Sequence, residues 1–116
     1  MSLFFACLAA IAVDGDTIKC RDLPPDLAGQ GGRVRIARID APERGRDGAD
    51  AATAALARLI DGRKVTCELV DADPRVAGFQ ARDRFGRPVA RCSAGGVDLG
   101  RAQLAAGHAV VWPRAR

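Results

Sequence analysis

Three carboxylates and a set of arginines are the residues of this chain best suited to chemistry. Asp16, Asp40 and Glu43 fall at the ends of candidate strands, and Glu43 follows Asp40 after Ala41-Pro42. Carboxylate oxygens suit Ca²⁺ or Mg²⁺, and two of them with a main-chain carbonyl leave room for water and a substrate phosphate. Zinc would want a His or Cys cluster, whereas His108 is the sole histidine. The plainer reading is local: Asp-Gly makes a hairpin turn and Asp-Ala-Pro-Glu a loop. Arg35 lies within a candidate strand, and Arg82, Arg84, Arg87 and Arg91 crowd around Gly86. Two arginines flanking a metal can grip a phosphodiester and offset transition-state charge. The alternative is a solvated basic loop.

The elements that must position these residues follow from pattern. Phe4 to Val13 reads as a strand, Asp14-Gly15 as a turn, and Asp16 to Arg21 as a second strand. Leu23 to Gly32 is a loop rich in Pro and Gly. Arg33 to Ile39 is a third strand, with Val34 and Ile36 on one face and Arg35 and Ile39 on the other. Asp50 to Asp61 is a helix with Asp50 as N-cap and Gly62 beyond its end. Lys64 to Val70 is a strand, and Asp71 to Arg87 a long polar loop of the kind that is usually functional. Pro88 to Cys92 is a strand, Ser93 to Gly96 a turn, and Val97 to Ala106 a helix capped by Asp98. Ala109 to Trp112 closes the order. Sequential short strands in so small a chain favour an antiparallel, closed or nearly closed barrel.

The length, 116 residues, fits one domain spanning 1–116, and 48% hydrophobic residues provide a core built from Val, Leu, Ile and Ala. Of the 18 basic residues 16 are Arg, and the net charge of +4 points toward phosphate-bearing partners. A genome rich in Arg codons gives the same composition. No apolar run reaches the roughly 18 residues of a membrane span. Leu3 to Val13 has the length of a signal core but no basic residue before it and no cleavage motif after it, so it reads as structure.

Taken in order, Val13-Asp14-Gly15-Asp16-Thr17-Ile18, Val34-Arg35-Ile36 leading to Ile39-Asp40-Ala41-Pro42-Glu43, Asp83-Arg84-Phe85-Gly86-Arg87 and Leu104-Ala105-Ala106-Gly107-His108-Ala109 form one pattern. It resembles the staphylococcal-nuclease (thermonuclease-like) family over about Ala12 to Trp112. The resemblance implies a mainly β chain with helices: an OB-fold, a five-stranded Greek-key barrel with two or three helices. It also implies a Ca²⁺-dependent endonuclease that hydrolyses DNA and RNA, single strands preferred, and leaves 3′-phosphate ends. Asp16 and Asp40 would bind Ca²⁺ by carboxylate and Ala41 by its main-chain carbonyl. Glu43 would orient or deprotonate the attacking water, Arg35 and Arg87 would clamp the scissile phosphate, and Arg84 would bind substrate. The protein would act as a monomer, away from membranes. The runner-up is a noncatalytic OB-fold module that binds single-stranded nucleic acid; a protein-interaction barrel with a vestigial site is a third reading.

The chain departs from the family's pattern at three places, the mildest being Ala41, which stands where Thr is more familiar and changes little if the ligand is the main-chain carbonyl. Arg84-Phe85 stands where the family has Lys-Tyr, and Val111-Trp112 stands where a base-stacking Tyr is common; there is no Tyr at all. Another aromatic can stack on a base, though Trp112 reads first as a core anchor. The five side chains of the catalytic set, Asp16, Arg35, Asp40, Glu43 and Arg87, are all present, which points to activity. Cys7 and Cys20 flank the Asp14-Gly15 turn, and Cys67 and Cys92 sit on strands that would be neighbours in an OB-fold. We expect Cys7–Cys20 and Cys67–Cys92 disulfides and hence a secreted or periplasmic protein; four free thiols would place it in the cytoplasm. His108, just after Gly107, reads as a surface histidine.

Overall fold

The computed structural model describes residues 3–28 and 31–114. Nine strands and two helices make a mainly β fold: β1 Phe4–Cys7, β2 Ala10–Asp14, β3 Thr17–Cys20, β4 Arg33–Ile36, β5 Ile39–Asp40, α1 Ala49–Ile60, β6 Val65–Leu69, β7 Val89–Ala94, β8 Val97–Asp98, α2 Leu99–Ala105 and β9 Val110–Val111.

The strand expected over Phe4 to Val13 is two strands. The bend falls at Leu8-Ala9, where the Asp22 carboxylate accepts both backbone N–H groups, Leu8 at 3.0 Å and Ala9 at 3.3 Å. Those amides leave the ladder, and the chain turns from one sheet neighbour to another. β1 pairs with β6 and β2 with β3, so the sheet runs β1-β6-β7-β4-β3-β2 with β8 beside β7. Its two edges are consecutive segments of chain, but no ladder joins them among the described residues. The sheet is therefore not a barrel closed by hydrogen bonds.

Two further boundaries move. Arg33 to Ile39 breaks after Ile36, because Arg38 adopts a left-handed φ of 67°. Ile39 then starts β5, which pairs with β9 as a separate two-stranded ladder. Ile39 is 1% exposed and packs in the core with Val34 and Ile36, so it does not share Arg35's face as the alternation predicted. In the first hairpin Asp14 pairs with Thr17, so the turn is Gly15-Asp16, one residue later than expected.

Helix α1 has Gly48 as N-cap, in the left-handed region and with no side-chain cap; Asp50, expected there, lies in the first turn. Its charge still favours that end of the helix dipole. Ala49, Ala52, Ala55, Leu56 and Ile60 form its buried face, at the spacing that puts side chains on one stripe. In α2, Asp98 is the cap, accepting the Arg101 N–H at 3.0 Å. That helix starts two residues later than expected, because Val97-Asp98 first pairs with the end of β7.

Both expected disulfides are formed. Cys67 and Cys92 face one another directly across β6 and β7, and Cys7 joins Cys20 with the Cα atoms 5.7 Å apart. The second pair is not a cross-hairpin pair, since Ala10 is Cys20's ladder partner; the bend at Leu8-Ala9 delivers Cys7 instead. This is the thiol state of an oxidising environment. No helix among the described residues is long and apolar enough to cross a membrane.

Candidate functional site

Asp16, Arg35, Asp40, Ala41, Glu43, Arg84 and Arg87 all line one open cleft of about 960 Å³. They come from the β2–β3 turn, β4, β5 with the segment after it, and the end of the 71–87 loop. All seven sequence-selected positions are thus brought together, and Asp14, expected only as a turn residue, lines the same cleft.

The acidic wall is held by a short network. Asp16 is 7% exposed. Its Oδ2 accepts the Ala41 backbone N–H at 2.8 Å and its Oδ1 accepts the Thr17 hydroxyl at 3.1 Å. Asp14 Oδ1 accepts the Asp16 N–H at 3.1 Å. Burial raises the Asp16 pKa to about 6, with the neighbouring Asp14 carboxyl acting in the same direction and Arg35 against it. Burial opposes ionisation of Asp14 too, but hydrogen bonds from Asp16 and Thr17 outweigh it and hold Asp14 below its ordinary range. One guanidinium favours the ionised form of both carboxyls.

Arg35 is that guanidinium. Its Nη2 lies 3.3 Å from Asp16 Oδ2 and 3.8 Å from Asp40 Oδ1, while Nη1 and Nη2 donate to the carbonyls of Ile36 and Ile39 at 2.7 Å. Arg35 therefore ties the β4–β5 corner together and stands between the two candidate ligand carboxylates. Among the described residues no three site carboxylates each bring an oxygen within 4.8 Å of the others; the one such group is Cys7, Cys20 and Asp22. Two of its members are a disulfide without ionisable thiols, so it is no metal site. The donors at the cleft, carboxylates and a main-chain carbonyl without nitrogen or sulfur, fit a hard cation that keeps several ligands for water or phosphate.

The basic wall is equally organised. Asp83 Oδ2 holds Arg87 Nε at 2.8 Å, and Asp83 Oδ1 accepts the backbone N–H groups of Phe85 and Arg87 at 3.0 Å. This closes the loop around Gly86, whose φ is 83°. Arg87 Nη1 then reaches Thr17 Oγ1 at 3.4 Å, beside Asp16. Arg84 is exposed and stacks on Phe85, 4.7 Å from the ring centre. Glu43 is exposed, and its carboxylate has no hydrogen-bond partner among the described residues, which leaves it to solvent at the cleft edge. Trp112 is half-buried at the same edge with the Arg75 guanidinium 4.9 Å above its ring, so it is a rim residue and not a core anchor. His108 is half-buried outside this cleft, in a shallower one.

Behind the acidic wall are two residues the motifs did not flag. Gly15 is not in a left-handed conformation; a Cβ there would fall 2.6 Å from Ala52 Cβ and 2.7 Å from Ala41 Cβ. The glycine lets the turn press against α1. Gln103 of α2, 1% exposed, donates from Nε2 to the carbonyls of Gly15 and Ala52, both at 2.9 Å. One amide thus ties both helices to the turn that carries Asp14 and Asp16. A buried Gln on an otherwise apolar helix face was the available signal.

No protein-family profile matches this chain, and no curated protein does.

Proposed function

We propose that this chain is a metal-dependent phosphodiesterase of the staphylococcal-nuclease type, an exported Ca²⁺-dependent endonuclease built on an OB-fold frame. The observation that carries the reading is the gathering, in one cleft, of the carboxylates Asp16, Asp40 and Glu43 with the guanidiniums of Arg35, Arg84 and Arg87. A phosphodiester needs cations on its non-bridging oxygens and a base for the attacking water, and these residue types provide both. A small, mainly β sheet whose edges are consecutive strands supports the OB-fold, and two formed disulfides support export.

Asp16, Asp40 and the Ala41 carbonyl would hold Ca²⁺, which when bound supplies positive charge beside the scissile phosphate. Glu43, free at the edge of the cleft, accepts the proton of the attacking water. Arg35 and Arg87 donate to the phosphate oxygens and stabilise the charge that builds on them, Arg87 also at the leaving oxygen. Asp83 fixes Arg87's direction before substrate arrives, so little reorganisation remains for the reaction. Arg84 binds the substrate backbone. Water attacks in line and the phosphate stays on the 3′ side.

The test is incubation of single-stranded DNA and of RNA with the protein in Ca²⁺ and in excess chelator, with analysis of product ends. Metal-dependent fragments carrying 3′-phosphate are expected. Salt-sensitive binding without cleavage would move the assignment to a noncatalytic nucleic-acid-binding module.

A further inference from the structure

The cleft does not end at the catalytic cluster. In the β3–β4 ladder Thr17 pairs with Arg35 and, one step along, Lys19 pairs with Arg33. Directly opposed residues share a face, and the intervening pair, Ile18 and Val34, is fully buried on the other side. Arg33 and Lys19 therefore continue the face that carries Arg35. On the other flank β4 runs parallel to β7 with Arg35 beside Val89, and Arg87, just before β7, brings its guanidinium to Thr17 in the row of Arg35. Lys19 and Arg33 thus form a transverse row of two cations, two residues from the row that holds Thr17 and Arg35. That distance is about 6.5–7 Å along a strand, comparable with the phosphate-to-phosphate step of an extended single strand.

The charges in this row are available. Arg33 is exposed and Lys19 half-buried, and neither pairs with a carboxylate among the described residues, whereas Arg35, Arg75, Arg87 and Arg91 all do. Arg33 and exposed Arg82 line the same cleft as Arg35. Arg82 is braced across the opening by the carbonyls of Gly86 and Asp26.

We infer that Arg33 and Lys19 form a second phosphate subsite, which holds the phosphodiester adjoining the one at Arg35 and Arg87 and makes this a site for single-stranded polynucleotide longer than a dinucleotide. This rests on the nuclease reading for which phosphate is cut, but binding alone can test the track. Two point charges on a strand face follow the backbone and leave bases unread, so the subsite is indifferent to sequence.

The experiment compares wild type with the Arg33→Ala/Lys19→Ala double variant and the charge-keeping Arg33→Lys/Lys19→Arg variant. Anisotropy of a labelled oligothymidylate of about twelve nucleotides, a length that fills one such site, is followed against salt in chelator. The slope of log K on log salt should fall by about 0.7 in the alanine variant, the share of one single-strand phosphate, and stay at the wild-type value in the charge-keeping one. With Ca²⁺, KM for the long strand should rise about tenfold, the equivalent of one well-placed charge contact, while KM for a dinucleotide with one phosphodiester stays unchanged. Arg101→Ala, on the exposed side of α2, should alter neither. An unchanged slope and an unchanged KM ratio in the alanine variant would overturn the subsite while leaving cleavage intact. Wild-type binding with the expected slope difference but no cleavage of either substrate would support the subsite and defeat the nuclease reading.

Discussion

Asp16 accepts the backbone N–H of Ala41 at 2.8 Å, across 25 residues of sequence. One hydrogen bond therefore sets the distance between the two halves of the acidic wall, because Ala41 follows Asp40. The bond is charge-assisted when Asp16 is ionised, and it holds Asp40 beside Arg35 whether or not a cation is bound. Asp16 acts as a structural hinge pin as well as a candidate ligand.

That double role gives a pH dependence. The folded protein binds a proton at Asp16 more tightly than the unfolded chain does, since its pKa is raised from 3.8 to about 6. Between those values the native state carries more protons, so stability from this group grows as pH falls through 6 and is fully present below 3.8. In chelator, the urea midpoint of Asp16→Asn should therefore change less between pH 7 and pH 5 than that of wild type. An identical pH response in both proteins would contradict the assignment.

Gly15→Ala should lower stability by about 1–3 kcal/mol, the range for overpacking a filled site. The Cβ would meet Ala52 Cβ at 2.6 Å and Ala41 Cβ at 2.7 Å. Adding Ala52→Gly should recover only part of the loss, because Ala41 remains. Denaturant midpoints of the single and double variants check this.

Gln103→Leu removes both donors to the buried carbonyls of Gly15 and Ala52. With each unsatisfied group costing about 1–3 kcal/mol, the expected loss for two carbonyls is about 2–6 kcal/mol, and thermal unfolding reads it directly. Gln103 Oε1 is buried without a partner among the described residues, so its removal relieves a desolvation cost and brings the loss toward the lower end of that range.

Asp83→Ala frees the Arg87 guanidinium from its 2.8 Å partner and releases the backbone N–H groups of Phe85 and Arg87. Arg87→Ala should reduce kcat by about 10²–10³, as loss of one preorganised donor does. Asp83→Ala should produce a smaller fall, since the charge remains but its direction does not. Steady-state cleavage of one oligonucleotide by the two variants would rank them.

The grouping of the candidate residues was legible because they are a pattern of types in order, and the structure puts all seven on one cleft. The disulfide pairs were legible too, though Cys7 reaches Cys20 by a route the hairpin argument did not contain. What stayed hidden depended on partners distant in sequence. The bend at Leu8-Ala9 sits inside an unbroken apolar run, and its cause, Asp22, lies 13 and 14 residues away. Gly15 looked like turn chemistry, yet its need is space against Ala52. Ile39 left the Arg35 face because Arg38 takes a left-handed φ, which period-two alternation cannot register. Asp14 and Asp83 are local to the motifs, but their role as second carboxyl and as orienter appears only once the turns close.

The most direct test of the central claim is the rate of single-stranded DNA cleavage by Glu43→Gln beside wild type, in Ca²⁺ and in chelator. Glu43 is exposed and makes no side-chain hydrogen bond among the described residues, so the substitution leaves the fold and the other site residues in place. The account predicts wild-type cleavage that needs Ca²⁺ and a loss of about 10²–10⁴ in the variant, the usual contribution of a positioned base. Equal rates for the two proteins, or no Ca²⁺-dependent cleavage by wild type, would contradict it.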